Sequence, residues 1–411
     1  MKKPELLAPA GDEERLEAAL LYGADAVYLG GQRFGMRAGP ENFSPDGLRR
    51  AVALAHQKGV KVYLTCNTLP RQGELDALPA FLAGAAEAGV DAFIIADLGV
   101  MEMARQAAPQ VALHVSTQLG VVNGATATAL YKMGASRVVL ARELSLEEIA
   151  SIRRETPPQL ELEAFVHGAM CMSVSGRCLL SQYLAGRDPN RGDCAQPCRW
   201  RYRLEEESAP GVYHEIGEIP GQGSYLLNAG DLRMIEHLGD LAAAGVGSFK
   251  IEGRAKSVYY AAAVTNAYRI AVDRWAAAPG EPCPSWLIEE TEAVSHRPYT
   301  TGFYFGQPRQ FTESGQYLQS CQVVAVAERW EGGRLWCRMK NRLREGEELE
   351  LLLPGRAPLA LPVAGLRDGA GEPIREAIHP HMALSLRCGE PAPRGAILRR
   401  RLGGTSPRQR G

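Results

Sequence analysis

The sequence predicts an α/β protein with two domains: a (β/α)8 TIM-barrel-like N-terminal domain with a cysteine-rich insertion, followed by a small C-terminal β-barrel domain. Short apolar runs alternate with amphipathic helical stretches up to about residue 275. Several of the helical stretches end on glycine, the residue that most readily takes a left-handed conformation after a helix. Beyond residue 318 the runs become short and are separated by Gly and Pro, which is typical of antiparallel strands.

The first domain, residues 1–275, contains eight apolar runs. They are residues 6–10, 26–30, 61–67, 92–97, 113–118, 137–142, 162–168 and 248–253. Apolar strands that alternate with helices indicate a parallel sheet covered on its faces, and eight units match a (β/α)8 barrel. An open doubly wound sheet is the alternative, but no G-x-G-x-x-G follows the first run.

Polar residues end these runs: Asn67, Asp97, Gln118, Arg142, Glu143, His167, Lys250, Glu252 and Arg254. In a barrel the carboxyl ends of the strands meet at the catalytic face, so we expect these side chains to surround a pocket. For any one of them, a loop position that only faces water is the alternative.

Each of these residue types suits a role. Arg142, Lys250 and Arg254 can pair with a carboxylate ligand, and Asn67 and Gln118 are further substrate-binding candidates. The catalytic candidates are His167, Glu252 and Asp97, and the first two are the best suited to proton transfer. For Glu252 the alternative is an ion pair with Lys250 or Arg254.

Four of the nine cysteines, Cys171, Cys178, Cys194 and Cys198, lie within 28 residues in a C-x6-C-x15-C-x3-C pattern. Four thiolates can hold an iron–sulfur cluster or a structural zinc ion. The pattern lacks paired C-x2-C knuckles, which favours a cluster. Buried free thiols or a disulfide are the alternatives.

These cysteines fall in residues 169–247, a long insertion predicted to lie over the catalytic face. Residues 276–317, rich in Pro and Gly at their start, are predicted to be a linker. Residues 318–411 follow as a small closed β-barrel with a basic tail. Its predicted strands are 322–327, 334–339, 347–353, 359–363, 382–386 and 396–398.

The composition is that of a globular protein, 45% apolar and 23% charged, with a net charge of −1. A nucleic-acid partner would therefore need a local basic surface. Arginines near the end of the chain are candidates, with a frayed terminus as the alternative: Arg394, Arg399, Arg400, Arg401, Arg408 and Arg410. No apolar run reaches the length of a membrane span or opens the chain as a signal peptide, so we expect a cytoplasmic protein without membrane contact.

Several motifs resemble the peptidase U32 family. The central one is Glu163-x-Phe-x-His-Gly-Ala-Met-Cys-x6-Cys-Leu-x-Ser181. Others are the segments 5–11, 23–28, 142–145, 190–200, 227–232, 250–254 and 296–303. Within this family the chain is most similar to the bacterial branch that hydroxylates a tRNA wobble uridine.

The resemblance implies a [4Fe–4S] cluster on Cys171, Cys178, Cys194 and Cys198, an RNA substrate, and prephenate as the oxygen-donating metabolite. The RNA would be tRNA, or 23S ribosomal RNA as in a sister branch that hydroxylates cytidine. In some relatives a ligand falls in the segment that here contains Arg233, so Cys198 is the better fourth ligand.

Two other functions stay open. One is a collagenase-like peptidase, although the chain has no H-E-x-x-H and no G-x-S-x-G, and offers only a Cys171–His167 pair. The other is a non-catalytic RNA-binding protein that would use the C-terminal domain and the basic tail. The oligomeric state is not predicted by any pattern in the sequence.

Overall fold

A computed structural model describes residues 2–36, 42–171, 178–200, 229–308, 311 and 317–403, and the backbone of 204–205 and 213–214. Its strands are β1 Glu5–Pro9, β2 Ala26–Gly30, β3 Lys61–Cys66, β4 Ala92–Ile95, β5 Ala112–Val115, β6 Arg137–Val139, β7 Glu161–Ala169, β8 Leu204–Glu205, β9 Tyr213–His214, β10 Asp231–Arg233, β11 Ser248–Ile251, β12 Tyr299–Thr300, β13 Cys321–Glu331, β14 Arg334–Met339, β15 Leu343–Arg344, β16 Glu348–Leu352, β17 Leu359–Pro362, β18 Arg367–Asp368, β19 Glu376–Ala377, β20 Ala383–Arg387 and β21 Ile397–Arg401.

The α-helices are α1 Glu13–Leu21, α2 Pro45–Gln57, α3 Leu78–Glu87, α4 Leu98–Ala107, α5 Gly124–Lys132, α6 Leu146–Glu155, α7 Leu180–Ala185, α8 Leu238–Ala243, α9 Val258–Ala277 and α10 Ser285–Glu292. Short 3₁₀ helices cover Gln72–Ala77, Thr117–Leu119, Pro189–Arg191 and Pro197–Arg199. Within the described residues, no helix is both long enough and apolar enough to cross a membrane.

Eight parallel strands form a closed barrel. The strands β1 to β7 pair in chain order, and β11 pairs in parallel with both β7 and β1, which closes the circle. Each of the eight predicted apolar runs overlaps with one of these strands, so the (β/α)8 prediction is confirmed and the open doubly wound sheet is excluded.

The predicted helix-ending glycines also take the conformation expected of them. Gly23, Gly59, Gly89, Gly134 and Gly245 all have positive φ angles, between 71° and 106°. At Gly23 and Gly245 an added Cβ would also lie within 2.6 Å of an arginine side chain. Each helix therefore stops at the point where the chain must turn back into the next strand.

The insertion extends the barrel at its carboxyl end. Here β10 runs antiparallel to the end of β7, and β12 pairs in parallel with β10. A buried ion pair fixes this extension, because Arg297 Nη2 lies 2.7 Å from Asp231 Oδ1 and both side chains are almost fully covered.

The segment predicted as a linker, 276–317, differs from that prediction. It contains α10 and β12, and its apolar side chains Leu287 and Val294 belong to the main hydrophobic core. Its Pro/Gly-rich start, which suggested a linker, covers only the turn between α9 and α10. Helix α10 packs against α9 of the barrel, and its Glu290 forms an ion pair with Arg399 of the C-terminal domain.

The C-terminal domain is mainly a seven-stranded antiparallel sheet, in the order β17-β16-β21-β13-β14-β20-β18. Each of the six predicted runs overlaps with one of its strands. The sheet curls into a half-barrel rather than the closed barrel that was predicted, because its edge strands β17 and β18 do not pair with each other in the described part of the chain.

The predicted basic surface at the end of the chain is wrong for its central members. Arg399 is fully buried between the domains, where it donates hydrogen bonds to Glu290, Glu350 and the Tyr259 hydroxyl. Arg400 and Arg401 form ion pairs with glutamates of β16 and its preceding turn. The reason is that β21 is a central strand, so its side chains face neighbouring strands and the barrel. Arg408 and Arg410 lie outside the described residues.

Candidate active site

A cavity of about 320 Å³ opens at the carboxyl ends of the barrel strands, beneath the insertion. This volume is within the range of small-molecule sites. Ten predicted site residues line it: Asn67, Gln118, Arg142, Lys250, Glu252, Arg254, Cys171, Cys178, Cys194 and Cys198. Strand-end residues from five different strands thus meet at one place, as the barrel topology requires.

Lys250, on β11, is the most deeply held cation of the cavity. Its Nζ donates a 2.8 Å hydrogen bond to Glu163 Oε1, and it lies 4.8 Å from the ring centre of Tyr28. Beneath it, Arg137 Nη1 lies 3.0 Å from the other oxygen of Glu163. Burial alone would raise the pKa of Glu163, but the charges of Lys250 and Arg137 outweigh burial and lower that pKa to about 2.

Arg254 lies against strands β2 and β3. Its Nη1 donates a 2.7 Å hydrogen bond to Thr65 Oγ1, and the side chain is almost fully buried. Gly30 allows this approach, because a Cβ at that position would lie 2.5 Å from Arg254 Nη1. A glycine that ends β2 therefore makes room for a guanidinium group at the cavity wall.

Arg142 follows β6 and crosses the cavity toward the insertion. Its Nη1 donates a 2.8 Å hydrogen bond to the Ala169 carbonyl, and its guanidinium lies 5.1 Å from the ring centre of Phe165. With Arg199 of the insertion, the part of the lining that the structure describes contains four cationic side chains and one carboxylate, that of Glu252. This excess of positive charge suits an anionic ligand.

Tyr28 is a lining residue that the sequence-based reasoning missed. Its hydroxyl donates to the Ile251 carbonyl at 3.1 Å and lies 3.3 Å from Glu252 Oε2. The pattern gave no signal for it, because Tyr28 lies in the centre of a uniformly apolar strand run, in which alternation leaves open which residues face inward.

Hydrogen bonds from neighbouring loop residues orient the side chains of Asn67 and Gln118. The Met36 amide donates to Asn67 Oδ1 at 3.0 Å, and Ser116 Oγ donates to Gln118 Oε1 at 3.2 Å. In this arrangement the amide nitrogen of each side chain can still act as a donor toward the cavity.

Three predicted strand-end residues do not line the cavity. Asp97 is the N-cap of α4, and its Oδ1 accepts a 2.9 Å hydrogen bond from the Val100 amide. Glu143 has a buried Oε2 without a hydrogen-bond partner in the described structure. His167 is buried behind the cavity wall. The structure therefore does not bring the catalytic candidates Asp97 and His167 into contact with a ligand in this cavity.

The position of His167 has a local cause. The register of β7 against β11 shifts between Lys250 and Ile251, so that Lys250 pairs with Phe165 but Ile251 pairs with His167. Such a β-bulge reverses the alternation of side chains. Phe165 faces the cavity, whereas His167 packs against Tyr268 and Tyr299.

His167 is also held in its neutral form. Burial lowers its pKa to about 3, although the Asp231 carboxylate acts in the opposite direction. Its ring nitrogens lie 3.3 Å from the hydroxyls of Tyr268 and Tyr299. At neutral pH this imidazole supports the strand extension and does not carry a charge.

The four clustered cysteines are free thiols, and all four line the cavity. Hydrogen bonds within the insertion hold two of these cysteines. Asn190 Nδ2 donates to the Cys178 carbonyl at 3.0 Å, and the Gln196 amide donates to Cys194 Sγ at 3.3 Å. Burial raises the pKa of Cys198, the neighbouring Arg199 lowers it, and the other three thiols raise it further.

These four thiols match an iron–sulfur cluster in donor type and number. Four thiolates can also hold a tetrahedral zinc ion. Among the described residues, no group of three or more His, Cys, Asp or Glu side chains is arranged to hold a single metal ion.

Comparisons with known proteins agree with this architecture. The model of peptidase family U32 matches residues 11–314, and that of the U32 C-terminal domain matches 319–399. The chain is 37% identical to "tRNA hydroxylation protein P" of Escherichia coli, over 86% of this chain and 87% of that protein.

Two similar proteins carry other names. The "23S rRNA 5-hydroxycytidine C2501 synthase" of Escherichia coli is 37% identical over 73% of this chain and 45% of its own length. A "Collagenase" of Porphyromonas gingivalis is 34% identical over 74% of both chains. The two family models together cover both domains, and the chain belongs to peptidase family U32.

Proposed function

We propose that this protein hydroxylates a nucleobase in RNA without using molecular oxygen, at C5 of a tRNA wobble uridine, to give 5-hydroxyuridine. The observation that carries the proposal is that four free thiols and four cationic side chains line one cavity at the catalytic face of the barrel. The names of the relatives from Escherichia coli, one acting on tRNA and one on 23S rRNA, support RNA hydroxylation.

The cofactor in this proposal is a [4Fe–4S] cluster held by Cys171, Cys178, Cys194 and Cys198. When bound, such a cluster supplies one-electron transfer. Conversion of a C–H bond to C–OH withdraws two electrons from the base, and the oxygen donor would take up two electrons as its own C–O bond breaks. A redox-active group beside the cavity suits this transfer. Peptide hydrolysis has no use for such a group.

The second ligand in this proposal is a small carboxylate metabolite, prephenate, as the oxygen donor. Arg142, Lys250 and Arg254 would bind its carboxylates, because guanidinium and ammonium groups form charge-assisted hydrogen bonds with them. Glu163 holds Lys250 from outside the cavity, and Thr65, a lining residue, holds Arg254, so both cations are in place before a ligand arrives.

Glu252 and Tyr28 are the pair best placed to move a proton. Among the described residues, Glu252 supplies the one carboxylate of the lining, and the Tyr28 hydroxyl lies 3.3 Å from it. An unpaired anticodon base can be turned into such a cavity, whereas a base in duplex RNA cannot be reached. Glu252 would then accept the proton that leaves C5.

The collagenase-like alternative has less support from the geometry. A cysteine peptidase needs an imidazole beside its thiol. His167 is buried, neutral and in contact with tyrosines, whereas Cys171 lines the cavity that His167 does not reach. The candidate Cys171–His167 pair is therefore not formed in this structure.

Iron and sulfide analysis of protein purified without oxygen tests the cofactor. We expect about four irons and four sulfides per chain, and loss of both when Cys171, Cys178 or Cys194 is replaced by serine. The Cys198→Ser variant should behave in the same way. Stoichiometric zinc without sulfide would contradict the proposal.

Mass spectrometry of nucleosides from a deletion strain tests the reaction. Loss of 5-hydroxyuridine derivatives from tRNA is the expected result. Loss of 5-hydroxycytidine from ribosomal RNA alone would assign the protein to the other RNA substrate. Unchanged nucleosides, together with peptide cleavage by the pure protein, would favour the peptidase.

A further inference from the structure

Exposed apolar side chains are concentrated around the mouth of the cavity. Of the eleven exposed large hydrophobic residues in the described part of the chain, three are elsewhere: Met133, Phe305 and Ile378. The other eight follow β3, β4 or β5 or belong to the insertion, and we call them the apolar rim: Leu69, Leu98, Val122, Leu179, Leu180, Tyr183, Leu184 and Trp200.

The helix α7 carries the densest part of the apolar rim. Of its two polar residues, Gln182 is exposed and Ser181 is buried, where it accepts a 2.8 Å hydrogen bond from the Ala195 amide. Tyr183 is 90% exposed, and Leu179, just before the helix, is 71% exposed. The helix therefore leaves most of its large apolar side chains in water, which is unusual for a helix of a globular protein. Such a surface is unfavourable unless a partner covers it.

The barrel holds this segment in place. Both Nη atoms of Arg191 lie 2.7 Å from the carboxylate oxygens of Glu74, in the loop after β3. Leu180 itself lines the cavity, so the apolar rim is continuous with the candidate active site. The ion pair therefore anchors the insertion, with its share of the apolar rim, to the barrel beside the cavity.

We propose that the apolar rim is a stacking surface for the unpaired bases that flank the target nucleotide of a single-stranded RNA loop. This inference rests on the proposed function and extends it to the way in which the RNA is held. When one base of a polymer enters the cavity, its neighbours must lie on the rim. Tyr and Trp offer flat faces on which any base can stack.

Charge favours RNA as the occupant. Among the described residues, four cationic side chains and one carboxylate line the cavity beside the rim. One of these cations, Arg199, precedes Trp200 and donates to two uncharged partners, Gln196 and the Tyr317 hydroxyl. Arg187 and Arg191 are ion-paired with Asp193 and Glu74 and do not add to this charge. A second copy of the chain seated on the rim would cover the mouth through which the substrate must enter. The arginines of β21 cannot take this role, because they are ion-paired elsewhere.

RNA-binding measurements on the full-length protein, loaded with its cofactor and kept free of oxygen, test this inference. The probe is a short RNA hairpin with a uridine-containing single-stranded loop, compared with the same sequence fully paired. We expect Tyr183→Ala and Trp200→Ala each to weaken binding of the looped RNA about tenfold, since one stacked base is lost in each case. Binding of the paired RNA should change little.

Two variants serve as controls. Tyr183→Phe keeps the ring and should bind within about twofold of the unchanged protein. Ile378→Ala removes an exposed apolar residue of the C-terminal domain and should leave the affinity unchanged. Circular dichroism and iron content confirm that each variant is folded and loaded.

Unchanged affinity for the looped RNA in both alanine variants would overturn the inference. A dimer that dissociates in these variants, with RNA affinity unaltered, would identify the rim as a contact between copies and would overturn it as well. The proposed reaction is judged separately by nucleosides from the deletion strain. If Tyr183→Ala bound RNA more weakly but the deletion strain kept all its modified nucleosides, the stacking surface would be supported and the hydroxylation rejected.

Discussion

Glu163 lies inside the barrel between two cations, Lys250 and Arg137, and the three side chains are almost completely covered. A buried carboxylate in this position is balanced by its partners, so removing its charge leaves two cations facing each other. The Glu163→Gln variant should lose about 3 to 5 kcal/mol of unfolding free energy. Denaturant unfolding measures the loss. Glu74→Gln, which affects a half-exposed ion pair with Arg191, should lose less than about 1 kcal/mol.

The same residue predicts a dependence of stability on pH. The pKa of Glu163 is about 2 in the folded protein, below the value of about 4.3 for an unfolded chain. The unfolded state therefore binds more protons between these values, and the stabilisation present above pH ~4.3 is lost as the pH falls toward 2. Unfolding free energies measured from pH 6 to pH 2.5 should decline less steeply in Glu163→Gln. Equal slopes would contradict the ion-pair network.

Gly30 makes the approach of Arg254 to β2 possible. An alanine there would place its Cβ 2.5 Å from Arg254 Nη1 and 2.9 Å from Asn42 Oδ1, so the guanidinium would have to move. We expect Gly30→Ala to weaken prephenate binding about tenfold, through loss of one charge-assisted contact. Calorimetry measures the affinity. Gly73→Ala is the matched control, because nothing lies within 4 Å of its added Cβ.

At the scale of elements, β21 shows why a basic run in a sequence is ambiguous. Arg399, Arg400 and Arg401 suggest a phosphate-binding tail, yet they form the end of a central strand. Nothing local in the sequence identifies Glu290, more than one hundred residues earlier, as the partner of Arg399. Long-range pairing decides the role of such a run, and a local pattern does not contain that information.

Arg399 fixes β21 to helix α10, which yields a prediction about the joint between the domains. Arg399→Met should cost about 3 to 5 kcal/mol, because the Glu290 carboxylate would remain buried without its partner. Arg401→Met, at a half-exposed ion pair with Glu350, should cost less than about 1 kcal/mol. Thermal unfolding compares the two. A large loss of RNA affinity in Arg399→Met at unchanged stability would restore the phosphate-binding interpretation.

The elements that the sequence predicted well are those with local signals. Eight apolar runs ended by polar residues locate the strands, and glycines such as Gly59 and Gly89 locate the helix ends. The errors have physical causes of longer range. The β-bulge that turns His167 away from the cavity depends on the register with β11, and Asp97 looks the same in sequence whether it caps a helix or faces a ligand.

At the scale of the whole molecule, the C-terminal domain is joined to the barrel through buried polar contacts. Besides Arg399, the Tyr22 hydroxyl donates to the Leu352 carbonyl at 3.0 Å, and Asn266 Oδ1 accepts from the Gly355 amide at 2.8 Å. A chain that ends after Leu398 would lose the end of β21 and with it the Arg399–Glu290 pair.

We therefore expect truncation after Leu398 to lower the unfolding temperature by several degrees, about 4 °C or more. Truncation after Gly403 keeps β21 and should leave the unfolding temperature unchanged. Scanning calorimetry measures both. If truncation after Leu398 lowered only the RNA affinity and not the unfolding temperature, β21 would be a binding strand and not a structural one.

The pairing of β7 with β11 has a consequence for how this barrel can change. Because these strands are neighbours, the roughly eighty residues between them form a side loop whose two ends are already held together. The entropy of closing such a loop grows only with the logarithm of its length. A change in the length of this segment therefore costs little closure entropy, provided that its core residues Met234, Leu238 and Leu241 and the strand β10 are kept. The part that bears the cysteines can thus vary in length while the barrel keeps its packing.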